Sequence, residues 1–267
     1  MRDRVFPLAV VAALAASALA QPAPKPSCPG CAVVPVVLVA SDYDTKGEGA
    51  ARTGAAYFLT AVKFAQRWYL AKAGKTFALG TPSVLASDLT ADQWIALSCL
   101  TATPDERKRF PPCDAKKYAS KSPQARYAYY SEVEKEFKAK VPNAGADDRR
   151  YIIAVFAGSQ PDVWLGAADG AAYAAATPRS TSVFCPSYQR DPTGRDARCR
   201  DSVYAIAHEL GHSFGLQHSC DQNLYDKKGC ENSFMQTKHP PDMGMLAGER
   251  EALRKNKFFR LSSADLK

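Results

Sequence analysis

The chain has 267 residues, 46% of them hydrophobic, and a formal net charge of +8, which is enough for one large domain or two small ones with a proper core. Its basic residues form no stripe interleaved with aromatics, which argues against a nucleic-acid partner. The charge is read as a solubilising surface, with weak attraction to acidic surfaces left open.

Residues 1–20 look like an export signal, with Arg2 and Arg4 at the start, an apolar run from Phe6 to Ala16, and Ala18-Leu19-Ala20 as the cleavage site. That run is too short to span a bilayer, and no later stretch is long enough either. The expectation is an exported protein that starts near Gln21 and acts, extracellularly or in a periplasm, as a monomer. Eight cysteines suit that compartment. Sequence spacing suggests neighbouring pairs: Cys28–Cys31, Cys99–Cys113, Cys185–Cys199 and Cys220–Cys230. The rival uses for thiols are metal binding by Cys28 and Cys31, or one cysteine capping a catalytic metal.

After a Pro-rich leader at 21–32, residues 33–39 are nearly all apolar and predict a strand buried on both faces. Residues 50–73 carry Ala51, Ala55, Phe58, Leu59, Val62, Ala65 and Tyr69 on one stripe and predict a helix ended by Gly74. A second strand over 76–86 is interrupted at Pro82, and 87–121 read as short helix and loop. Pro123, behind Ser122, opens another helix, with Ala125, Tyr129, Val133 and Phe137 on its apolar side. Residues 151–157 form the clearest strand. Strand, helix, strand, helical insert and strand in that order predict an α/β sheet with parallel crossovers. The Gly/Ala-rich stretch 166–178 is either a strand or a loop, because alanine runs are poor strand formers.

Asp201 or Ser202 is the expected N-cap of the next helix. Val203, Ile206, Ala207, Leu210 and Phe214 fall on one side of it, nearly opposite His208 and His212. The segment from Leu246 to Phe259 is expected to be a packed C-terminal helix whose Arg250, Arg254, Lys255 and Lys257 face solvent.

The chemistry sits in His208 to His218, which read HELGHSFGLQH. On a helix, His208 and His212 project from one face, one turn apart, and Glu209 lies about 100° around the axis. Gly215 offers a left-handed turn that can swing His218 back toward them. Three neutral imidazoles leave one tetrahedral position of a zinc ion open, as a catalytic zinc requires. Such a zinc activates water, and Glu209 is placed to take its proton as general base. The HExxHxxGxxH pattern arises by chance in roughly one chain in 10⁵ of this length. It uses three of the chain's 4 histidines, which leaves His239 as a surface or rim residue.

HELGHSFGLQH resembles the extended zinc motif of the metzincins, a clan of zinc endopeptidases. Met235 stands where that clan carries a methionine turn beneath the metal, and Ser219 after the third histidine is similar to the matrixin branch. The resemblance is sharp over roughly 203–236. It implies a twisted, mostly parallel α/β sheet with long helices, an active-site helix under a cleft, and a small C-terminal part. The boundaries would be one catalytic domain at 33–267, upper part 33–215 and lower part 216–267. It further implies cleavage of protein or peptide substrates with one zinc held by His208, His212 and His218. An edge strand pairing with the substrate backbone would fall in 166–178.

Three departures limit the resemblance. Thr237 replaces the tyrosine that some members place two residues after the methionine. No histidine precedes His208, so no second, structural zinc is expected, and the matrixin propeptide has no clear counterpart. Asp42/Asp44 and Asp147/Asp148 lack a calcium-loop pattern, and calcium is left open. Two other functions fit the same residues, a zinc hydrolase of small amides or peptides and a secreted binding module that keeps the site without turnover.

Overall fold

The computed structural model describes residues 28–42, 50–101, 113, 128–144, 146–157, 166–169, 173–176, 197–218, 220, 229–236 and 244–266. Its centre is a pair of parallel strands, β1 (Ala32–Val39) and β4 (Arg149–Phe156), in register from Ala32↔Arg149 to Val39↔Phe156. Both are nearly continuous apolar runs because both faces of the sheet are covered. Side-chain alternation then makes two cores. Val33, Val37, Val39, Ile152, Ala154 and Phe156 point into one; Val34, Val36, Leu38, Tyr151, Ile153 and Val155 point into the other.

On the outer side of β1 lie β2 (Ala78–Leu79) and β3 (Ser83–Ala86), both parallel to it. The break between them answers a problem inside β1. Val33 O accepts from Gly80 N and Val39 O from Ser87 N, so the odd-numbered residues of β1 face this side. Pro35, which has no N–H to give, therefore faces the interruption at Gly80–Pro82, where no ladder donor is missed. Glycine is needed there, since a Cβ at Gly80 would lie 2.8 Å from Val34 Cγ2. The proline in a central strand is thus matched by a gap in its neighbour.

Helices cover both faces. Helix α1 (Ala50–Ala73) ends at Gly74, whose φ of 75° is left-handed. Helix α2 (Ala91–Thr101) starts with a reciprocal cap between Thr90 and Gln93, and Asp42 accepts from Ala91 N. Helix α3 (Ala128–Lys140) buries Tyr129, Val133 and Phe137 against the second core; its expected start at Ser122–Pro123 and Ala125 lie outside the described residues. Beneath it, the buried Glu136 accepts from Ser87 Oγ and Asp88 N.

The Gly/Ala stretch is a hairpin: β6 (Tyr173–Ala176) runs parallel to β4, and β5 (Gly166–Asp169) pairs antiparallel with β6. The sheet order is β2–β1–β4–β6–β5, with β3 also on β1. Pairing with the buried β4 overrides the poor strand propensity of alanine.

Two expectations are corrected. Helix α4 (Ala197–Ser213) is already running at Ala197, so Asp201 and Ser202 lie inside it and neither is its N-cap residue. Ala197, Arg198 and Arg200 are good helix formers, and they extend the helix past a capping signal that local reading took for its start. The C-terminal helix α5 (Ala247–Lys255) stops short of the expected Phe259, and the basic residues of this segment are only partly a solvated face. Arg254 Nε donates to Ala73 O at the end of α1, and Lys257 pairs with Asp147 at 2.5 Å.

Cys28–Cys31, Cys99–Cys113 and Cys220–Cys230 are disulfides. Cys28 and Cys31 are therefore bonded to each other and hold no metal. The fourth expected pair involves Cys185, outside the described residues, as do residues 1–20. No helix among the described residues is long and apolar enough to cross a membrane.

Candidate metal centre

Helix α4 buries Val203, Ile206, Ala207, Leu210 and Phe214 in the first core, as the periodicity predicts. Tyr69 of α1 stands at the centre of that contact. Its ring meets Phe77, Phe214, Phe234 and Phe259 edge to face, and its hydroxyl donates to Ala207 O at 2.6 Å. Burial, above all, raises the phenol well beyond its ordinary range, so the hydroxyl stays a donor. The opposite side of α4 carries the histidines.

The helix ends in a Schellman motif. Gly215 N donates to His212 O at 2.8 Å and Leu216 N to Gly211 O at 2.9 Å, with Gly215 at φ 90°. This reversal returns His218 to the face it would otherwise leave. The Cys220–Cys230 disulfide then ties the chain just beyond His218 to the 3₁₀ turn Cys230–Asn232.

The three Nε2 atoms of His208, His212 and His218 stand 3.2 Å from one another in every pairing. His208 Nδ1 is 2.8 Å from Phe234 O and His212 Nδ1 is 2.9 Å from Leu216 O. A carbonyl only accepts, so each Nδ1 carries the proton and each Nε2 is left with a lone pair. Lone pairs aimed at one another at this distance repel unless a cation lies between them. A tetrahedral zinc with nitrogens at about 2.0–2.1 Å separates its ligands by about 3.3 Å, and the triangle fits. Burial also holds His212 below the usual imidazole range, favouring the neutral form a metal needs. Among the described residues these histidines form the one cluster of three or more potential ligands.

Glu209 is 7% exposed, and its Oε2 has no hydrogen-bond partner. Burial pushes its carboxyl up to about 8, so a positive charge nearby is what would ionise it at neutral pH and make it a proton acceptor.

Met235 is fully buried beneath the helix. Its turn is held by Phe234 N donating to Gly244 O at 2.8 Å and Gln236 N to Ser233 O at 3.2 Å. Gly211 lets it approach: a Cβ there would overlap Met235 Sδ and sit 3.1 Å from Phe234 Cε2. Ser219, Thr237 and His239 lie outside the described residues.

Four contributors escaped the sequence reading. Tyr204 donates its hydroxyl to Gln236 O and lies 3.5 Å from His208 Nδ1. Arg150 Nε donates to Ser213 O at the end of α4 while its guanidinium stacks 4.6 Å over Phe258. Ser233 and Glu249, both at 0% exposure, bond to each other beneath the methionine turn. The one available signal was the spacing of Tyr204 four residues before His208; the others come from remote parts of the chain.

Residues 118–243, which include Glu209 and the three histidines, match the family model described as Metallo-peptidase family M12. No curated protein matches the chain. Among solved structures, archaemetzincin from Methanopyrus kandleri is similar at 12% identity and TM-score 0.40, over 85% of this chain and 96% of that one. Catalytically inactive OgpA from Akkermansia muciniphila, solved with an O-glycopeptide (glycodrosocin) substrate, is similar at 13% identity and TM-score 0.44, over 93% of this chain and 66% of that one. The family match and the three convergent imidazoles together support a zinc-dependent metallopeptidase.

Proposed function

We propose that the chain is an exported endopeptidase of the metzincin type, with one zinc held by His208, His212 and His218 and Glu209 as general base. The observation that carries this is the triangle of Nε2 atoms 3.2 Å apart beside a buried carboxyl oxygen with no hydrogen-bond partner. Zinc bound there supplies Lewis acidity, polarising a peptide carbonyl and making water acidic enough to attack near neutral pH.

The chain's own residues do the rest. Phe234 O and Leu216 O hold two imidazoles in the tautomer that presents Nε2. Glu209 Oε2 accepts the proton of the attacking water and delivers it to the departing amine. The edge strand β5 lies beside α4, and its outer backbone is suited to pair with an extended substrate while tolerating varied side chains. Within the clan, Ser219 favours a matrixin-like member. The signal-like residues 1–20 and the disulfides favour export.

Glu209→Ala should retain stoichiometric zinc and lose cleavage of casein and gelatin. Full activity in that variant would overturn the mechanism. An endopeptidase cuts long chains internally, so a panel running from dipeptides to denatured proteins separates this reading from a small-amide hydrolase.

A further inference from the structure

At the start of helix α5, Glu249 Oε2 accepts from Leu246 N at 2.8 Å, a capping contact. A glutamine would serve there as well, so the cap does not account for a carboxylate at 0% exposure. The other oxygen, Oε1, accepts the hydroxyl of the equally buried Ser233. Ser233 Oγ gives its one hydrogen to that bond and accepts from Met235 N at 2.9 Å.

Met235 N–H and Phe234 C=O belong to the same peptide group. Its N–H end points at Ser233, and its C=O end takes the Nδ1 proton of His208 at 2.8 Å. The bonds run in one sense: His208 Nδ1–H to Phe234 C=O, Met235 N–H to Ser233 Oγ, Ser233 O–H to Glu249. Bonds arranged head to tail polarise one another. A donor engaged at the N–H end makes the C=O end a better acceptor, which draws the Nδ1 proton and enriches Nε2.

We infer that Glu249 is a positioning residue for His208, acting through Ser233 and the Phe234–Met235 peptide group. It does at a distance what a carboxylate bonded directly to a ligating histidine does: it sets the ring's orientation and raises its basicity. The inference rests on the metal site proposed above. A merely structural Glu249 would tie α5 to the methionine turn and leave the imidazole unaffected.

The test uses the full chain, stripped of metal and titrated with zinc against a chromophoric chelator, with Glu249→Gln, Ser233→Ala and the double variant. Imidazole N–H NMR in the zinc form follows His208 Nδ1–H, and circular dichroism checks folding. Each single variant is expected to bind zinc about 10–100-fold more weakly and to move the Nδ1–H resonance. The double variant should be no weaker than the worse single one, because either change cuts the same chain. Folded variants with unchanged affinity and resonance would overturn the inference, as would losses that add. Should Glu249→Gln fail to fold, Ser233→Ala carries the test, since it keeps the Leu246 cap. Wild-type protein that binds no zinc would remove the metal site and the relay together; wild type that binds zinc with indifferent variants would remove the relay alone.

Discussion

Gly211 and Met235 are in direct contact: the backbone of α4, one residue before the second histidine, rests on the thioether of the methionine turn. A Cβ at Gly211 would overlap Sδ and lie 3.3 Å from Met235 Cε. The glycine in the middle of the motif is therefore a packing requirement, although it costs the helix about 1 kcal/mol relative to alanine.

Gly211→Ala recovers that propensity but overpacks a fully buried site, at about 1–3 kcal/mol. The expected result is a lower thermal midpoint together with weaker zinc binding, because the displaced turn carries Phe234 O, the partner of His208. Differential scanning calorimetry with zinc titration measures both. A midpoint and affinity equal to wild type would show that the turn yields without disturbing the histidine.

Gly215→Ala should destabilise for a different reason. Nothing lies within 4 Å of a Cβ there, so the cost is purely that of a left-handed backbone, about 1–2 kcal/mol. Asparagine tolerates that conformation better, so Gly215→Asn should lose less stability and less zinc affinity than Gly215→Ala. Equal losses would mean that the backbone conformation is not what returns His218 to the site.

Tyr69→Phe keeps the ring packing and removes the bond to Ala207 O, worth about 0.5–1.5 kcal/mol. The variant should unfold slightly earlier yet hold stoichiometric zinc and cleave casein at close to the wild-type rate. Loss of metal from the folded variant would show that the hydroxyl also positions the histidine face of α4.

A chelator should abolish cleavage and lower the thermal midpoint, and added zinc should restore both. Zinc at about 100 times its Kd stabilises by about 2.7 kcal/mol. Undiminished cleavage after complete removal of metal, verified by elemental analysis, would exclude a zinc mechanism.

The motif, the two central strands, helix α1 and three of the neighbouring cysteine pairs were legible because each is local. A spacing of four puts His208 and His212 on one face. Unbroken apolar runs at 33–39 and 151–157 announce strands covered on both sides. Cysteines near in sequence are near in space at little entropic cost. The same local reading failed where a cap competed with good helix formers, at Asp201 and Ser202. It left 166–178 open because a hairpin of alanines is decided by the partner β4 it finds.

Residue type and helical period are carried by the chain regardless of its surroundings, and they alone put His208 and His212 on one face with Glu209 beside them. Which groups hold those side chains in place depends on the fold. Phe234 O beneath His208, the Tyr69 hydroxyl on Ala207, and Glu249 at the end of the relay are contacts between segments distant in sequence, Tyr69 and Ala207 being 138 residues apart. Such contacts have no period. They arise when buried polar atoms must find partners, and the fold alone sets which partners are within reach.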